Sequence, residues 1–115
     1  MHASFWTHMD TLIRSSALVI DRPKGFSRPH ASSVVYPLDY GYLQGTSSSD
    51  GEGIDVWRGS LPAGHLDAVV CTVDVRKRDA EIKLLLGCTA AEKHAICNFP
   101  QSAFTAAILV ERSTR

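Results

Sequence analysis

From residue 66 to residue 87 the chain alternates apolar and polar positions with a period of two. Val69, Cys71, Val73 and Val75 fall on one side, and Thr72 and Asp74 on the other. After the charged run RKRDA, Ile82, Leu84 and Leu86 alternate with Glu81 and Lys83. Alternation of this kind marks strands with one face in a core, so LDAVVCTVDV at 66–75 and EIKLLLG at 81–87 are expected to pair as a hairpin. A two-residue Lys77-Arg78 turn would set Asp74 opposite Glu81, a like-charge pair that needs a cation between its members; a longer turn shifts that register. Shorter strands are expected at ALVID (17–21), at 34–44, where aromatic and polar residues alternate around Gly41, at GIDVWRG (53–59) and at the closing AAILVE. The turn chemistry of RPKGFSRP stops the first of them.

Two stretches switch to helical spacing. Phe5, Trp6, Met9, Leu12 and Ile13 form a stripe behind Ser4, a candidate N-cap. That stripe fits packing against the body of the same subunit and a homo-oligomer contact equally well. Thr89 and Glu92 form a capping box for a second helix, ending near Phe99 because Pro100 follows. The expected architecture is one domain over residues 1–115. It is mainly β: a small five- to six-stranded antiparallel OB-like barrel with two flanking helices.

Composition narrows the function classes. Twelve basic and twelve acidic residues cancel in a 115-residue chain, without the basic excess of a nucleic-acid binder. The three cysteines, Cys71, Cys88 and Cys97, lack paired metal-ligand spacing and read as thiols of a reducing cytosol. The start MHASFWTHMD has no basic segment leading into an apolar core, and AAILV is too short to span a bilayer. A cytoplasmic protein without membrane or nucleic-acid partners is therefore expected. A single-strand binder stacking bases on Tyr36, Tyr40, Tyr42 and Trp57 is the weaker reading, given the neutral charge.

The chemistry concentrates in SSSDGEGIDV, where Asp50, Glu52 and Asp55 surround Gly51 and Gly53 and run into an apolar strand. Mg²⁺ takes oxygen ligands, usually one or a few carboxylates completed by water and substrate phosphates. Glycines let such a loop fold back on itself. Asp55 points away from the face shared by Ile54 and Val56. Asp74 and Asp79 supply further acids on the charged hairpin. Lys24, Arg28 and Lys83 are candidate phosphate contacts. No HExxH, P-loop or GxSxG pattern occurs.

YPLDYGYLQGT followed by SDGEGIDVW resembles the central segment of the soluble family I inorganic pyrophosphatases, which carry YP-x-x-YGY and then a D-x-D-x-x-D box. LVIDRPKG upstream resembles the family's strand ending in an acid, and Asp74 and Asp79 keep the five-residue separation of its second acidic pair. The resemblance covers residues 17–86. It implies a small OB-type barrel with outer helices and a Mg²⁺-dependent hydrolase of phosphoanhydrides, with inorganic pyrophosphate as substrate. Asp50, Asp55 and Asp79 would share one metal, and Asp74 would join Asp79 at another. Glu52 would handle the proton of the attacking water, and Tyr40 matches the active-site tyrosine. Lys24 or Arg28, with Lys83, would contact phosphate. The chain departs from the family in several places: Glu52 stands at the middle acid of the box and Asp21 for a glutamate, the chain between Arg28 and Tyr36 is too short for the usual arginine-bearing hairpin, TAAEKHAICNF lacks a tyrosine-lysine pair, and the whole chain is shorter than ordinary members. A non-catalytic barrel that binds a phosphorylated ligand or a partner protein is the alternative.

Overall fold

The computed structural model describes residues 2–99 and 102–113. Helix α1 (His2–Arg14) leads into strands β1 (Leu18–Arg22), β2 (Ser27–Arg28), β3 (Ala31–Val35), β4 (Asp39–Leu43), β5 (Ile54–Arg58), β6 (Leu66–Asp74) and β7 (Asp79–Leu86). Helix α2 (Ala90–Cys97) and strand β8 (Thr105–Glu111) follow. The strands form a six-stranded sheet in the order β1-β4-β5-β7-β6-β8 and a small β2-β3 hairpin. Neighbours in the large sheet are antiparallel except β5 and β7, which run parallel. The mainly antiparallel sheet with two helices agrees with expectation, but among the described residues no ladder joins β1 to β8, so the sheet is open where a closed OB-like barrel was expected. The chain leaving β5 passes over one position before laying down β6. That puts the apolar run of β6 between β7 and β8, with Leu66, Ala68, Val69 and Val70 buried.

Each face of the sheet has its own core. On one, Trp6 of α1 packs with Leu43, Val56, Leu66, Val69, Leu84 and Leu86, joined by Met9 and Ile13. Phe5 and Leu12 lie at the exposed margin of this stripe. The helix already runs at His2, so Ser4 is inside it rather than capping it, and its carbonyl accepts from His8 Nδ1. On the other face Tyr36, Tyr40, Trp57, Ala68, Val70 and Leu85 pack under Ile96 of α2 and Phe99. The Thr89–Glu92 capping box forms as expected. Pro100 lies outside the described residues. Burial pushes the Cys88 thiol up to about 12, which makes it a packing group, and no disulfide joins the three cysteines. Among the described residues no helix is long and apolar enough to cross a membrane.

A two-point ion pair fastens α1 to the far end of the chain: Arg112 Nη1 and Nη2 donate to Asp10 Oδ1 and Oδ2 at 2.9 and 2.8 Å. The Arg112 hydrogen bonds hold the Asp10 carboxyl below its ordinary value. This stabilisation is fully present above the ordinary aspartate value of 3.8 and is lost as pH falls from there through the lower folded value. Asp10→Asn should therefore cost about 1 kcal/mol at neutral pH, the upper end for a solvent-accessible pair. Urea unfolding at pH 7 and below pH 3.8 should show the difference between parent and variant shrinking in acid. Equal midpoints at pH 7 would mean that α1 is held by Trp6, Met9 and Ile13 alone.

A candidate phosphate and metal cleft

The register of the sheet decides which side chains meet. Tyr40 lies opposite Trp57 and Tyr42 opposite Asp55, while Lys83 lies opposite Val70 and Glu81 opposite Thr72. Opposed residues share a face, so the aromatic core and the polar residues Asp55, Glu81, Lys83, Thr72 and Asp74 occupy the same side of the sheet. Beyond the aromatic core this side opens into a cavity of about 730 Å³. Its lining includes Asp50, Glu52, Asp55, Asp74, Asp79, Arg28, Tyr40 and Lys83. Every site residue expected from the sequence is thus brought to one cleft, with the exception of Lys24. Lys24 is exposed outside the lining, and its backbone N–H donates to Asp39 Oδ1 at 2.9 Å. That bond, with Arg58 Nη2 at 3.0 Å, holds the Asp39 carboxyl below its ordinary value.

The acidic loop is built by its own hydrogen bonds. Asp50 Oδ1 accepts from Ser48 Oγ at 2.7 Å and from the Glu52 backbone N–H at 2.9 Å, and these bonds hold its carboxyl below its ordinary value. Gly51 takes the left-handed φ of 85° that the turn requires. Thr46 Oγ1 donates to Leu43 O and accepts from Ile54 N–H, which ties both ends of the loop to the strands. Asp50 thus spends one oxygen on the loop, and the residue lies in the cleft lining. Glu52 is exposed at the rim.

The β6–β7 turn differs from the two-residue form considered above. Asp74 lies opposite Asp79, and Glu81 opposite Thr72. Asp74 Oδ1 accepts from the Arg76 and Lys77 N–H groups at 2.9 and 3.0 Å, and Arg78 adopts a φ of 59°. These bonds fix a four-residue turn, Val75 to Arg78. The like-charge pair across the hairpin is therefore Asp74 with Asp79, while Glu81 moves one step inward, beside Asp55.

Lys83 organises the centre. Its Nζ donates to Tyr40 Oη at 2.8 Å and stands 3.8 Å from Asp55 Oδ2. Burial and the neighbouring Asp55 carboxylate push the Tyr40 phenol up, so it stays protonated at any physiological pH. Burial raises Glu81 as well; Lys83 pulls against this, and Asp55 and Asp50 add to it. The cleft thus holds more negative charge than its own cations balance. Among the described residues, no three of the acids, histidines or cysteines stand close enough to cage an ion by themselves. The donors are hard carboxylate oxygens in an open arrangement, which suits a cation held by one or two carboxylates and completed by water and ligand oxygens.

Arg22, Lys77 and Glu81 also line the cleft; none was among the expected site residues, although Glu81 was expected beside Asp74 in a like-charge pair and Lys77 in the hairpin turn. For Glu81 the period-two alternation with Lys83 was the available signal. The hairpin of Ser27–Arg28 with Ala31–Val35 was also unexpected, because RPHASSVV lacks alternation, yet it carries Arg28 to the cleft. The rings of Tyr36, Tyr40 and Trp57 are buried against one another and against Phe99, while Tyr42, the fourth aromatic of the stacking reading, is half-buried in the cleft lining. No family model matches the chain, and neither does any curated protein or solved structure.

Proposed function

We propose that the protein is a Mg²⁺-dependent hydrolase of phosphoanhydrides, with inorganic pyrophosphate as its substrate, and a short relative of the family I pyrophosphatases with a modified, open OB-like sheet. The observation that carries this reading is the meeting, in one cleft, of acids from the Asp50–Asp55 loop and the β6–β7 hairpin with the cations Lys83 and Arg28. One or two of the carboxylates of Asp50, Asp55, Asp74 and Asp79 would hold a cation whose shell is completed by water and substrate oxygens; when bound it would neutralise phosphate oxygens and make a bound water more acidic. Lys83 and Arg28 bind and orient the substrate's phosphoryl oxygens. Tyr40, kept protonated, offers its hydroxyl beside Lys83 as a positioning group. Glu52, at the rim, is placed to take the proton of the attacking water, and in-line attack needs little more than such positioning and charge neutralisation.

The alternative is a domain that binds a phosphorylated ligand without cleaving it. Lys83 and Arg28 in the cleft support it equally, since they can hold phosphoryl oxygens whether or not the anhydride is cleaved.

Metal binding is testable without turnover. A cation that binds only the folded state stabilises it by about 2.7 kcal/mol at roughly 100 times its Kd. Melting in millimolar Mg²⁺ or Mn²⁺ should shift upward, and Asp55→Asn should remove most of the shift, because a neutral amide is a poorer ligand for a hard dication. A parent melting curve unmoved by either metal would remove the metal from the proposal.

A further inference from the structure

Part of the positive charge in the cleft comes from Arg22, which the proposed function leaves without a role. Arg22 ends β1, where the ladder to β4 slips: Ile20 pairs with Gly41, yet Arg22, not Asp21, pairs with Tyr40. This bulge re-aims the strand so that Arg22 shares the Tyr40 face. Its guanidinium lies 5.5 Å from the Tyr36 ring centroid and 5.9 Å from that of Tyr40. Nη1 of Arg22 donates to Tyr36 Oη, and Nη2 of Arg28 approaches the same oxygen at 3.4 Å. Two guanidinium groups therefore gather on one phenol oxygen. Among the described residues neither makes an ion pair with a carboxylate. Each guanidinium has five N–H donors, and a single shared oxygen leaves most of them unspent. Two like charges held together at the wall of a cavity are stabilised by an anion with several acceptor oxygens, which a phosphoryl group supplies in the planar geometry guanidinium prefers.

We propose that Arg22, paired with Arg28 across Tyr36 Oη, forms a phosphoryl-binding pole of the cleft that works without metal. The pole receives the end of the ligand remote from the acidic loop, and makes Arg22 a specificity-determining residue. Because the aromatic faces behind it are filled by one another, the group it takes is a terminal phosphate rather than a base or a sugar ring. The inference deepens the phosphoanhydride reading and rests on it for the identity of the full ligand, but the pole itself requires neither Mg²⁺ nor hydrolysis.

The test uses inorganic phosphate as the probe, titrated calorimetrically into the full chain in chelator-containing buffer. The parent should bind phosphate, with an affinity that falls as salt rises. Arg22→Met should weaken binding about tenfold or more, the usual scale for losing a hydrogen bond to a charged group. Arg22→Lys should fall between, since an ammonium keeps the charge but loses the fork. Arg28→Gln, on an exposed two-residue strand, provides a second variant whose fold does not depend on the changed side chain, and should weaken binding in the same sense. Phosphate binding by the parent that is equal in Arg22→Met and Arg28→Gln would overturn the proposal, and so would a parent that binds no phosphate without metal. A protein that binds phosphate through Arg22 yet leaves pyrophosphate intact would sink the hydrolase reading alone. A hydrolase whose KM is unchanged in Arg22→Met would sink this inference alone.

Discussion

Glu52→Gln should keep the fold and the Mg²⁺-dependent rise in melting temperature, yet hydrolyse pyrophosphate about 10²–10⁴ times more slowly, the usual contribution of a general acid or base. The loop explains why the two effects should separate. Glu52 enters the hydrogen bonding of the turn through its backbone: its N–H donates to Asp50 Oδ1, and its carbonyl accepts from Ser48 N–H at 2.7 Å. Its side chain is exposed at the rim of the cleft, so replacing the carboxylate by an amide of equal size disturbs neither the turn nor the core. Single-turnover hydrolysis and a melting curve with and without Mg²⁺, run on the same preparation, read both quantities. A variant as fast as the parent would make Glu52 a solvated loop residue, and Glu81, which burial and Asp55 keep above the usual carboxylate range, the next base to examine.

Gly41→Ala should be the most damaging single methyl in the chain. A Cβ on Gly41 would stand 1.8 Å from the backbone oxygen of Val19 and 2.8 Å from the Cα of Ile20. Both are backbone atoms of β1, the antiparallel neighbour of β4, next to the bulge, so no side chain can swing away to make room. The β1–β4 ladder must separate or the bulge must unwind, which places the cost at about 3 kcal/mol or more, beyond ordinary overpacking. Since the same bulge aims Arg22 into the cleft, any folded fraction should also bind phosphate weakly. Chemical unfolding gives the first quantity and phosphate titration the second. A variant within about 0.5 kcal/mol of the parent, the scale of an inert surface change, would show that β1 does not lie this close to β4.

The features legible in the sequence are those set by neighbours along the chain. Thr89 and Glu92 are three residues apart, and their reciprocal bonds need nothing from the rest of the fold, so the start of α2 was readable. The strands at 66–74 and 79–86 announced themselves by alternation, and Asp50 and Asp55 by the glycines between them. Long-range choices were not readable. Nothing local says that β7 rather than β6 should lie beside β5, because that order follows from burying the apolar run of β6 on both sides. The hairpin register turned on two backbone bonds to Asp74 and a left-handed Arg78, which alternation does not encode. The cleft shows the same limit: Lys24 was an expected phosphate contact and lies outside it, while Arg22, which was not expected, lines it. The two cations are two positions apart, and only the one-residue slip against β4 turns Arg22 inward while Lys24 is left in solvent.

Phosphate release from pyrophosphate, measured with the full chain across a Mg²⁺ series and against a chelated control, is the most direct test of the central claim. Release should require Mg²⁺, stop in chelator and fall sharply in Asp55→Asn. Folded parent protein that releases no phosphate at any Mg²⁺ concentration would contradict it.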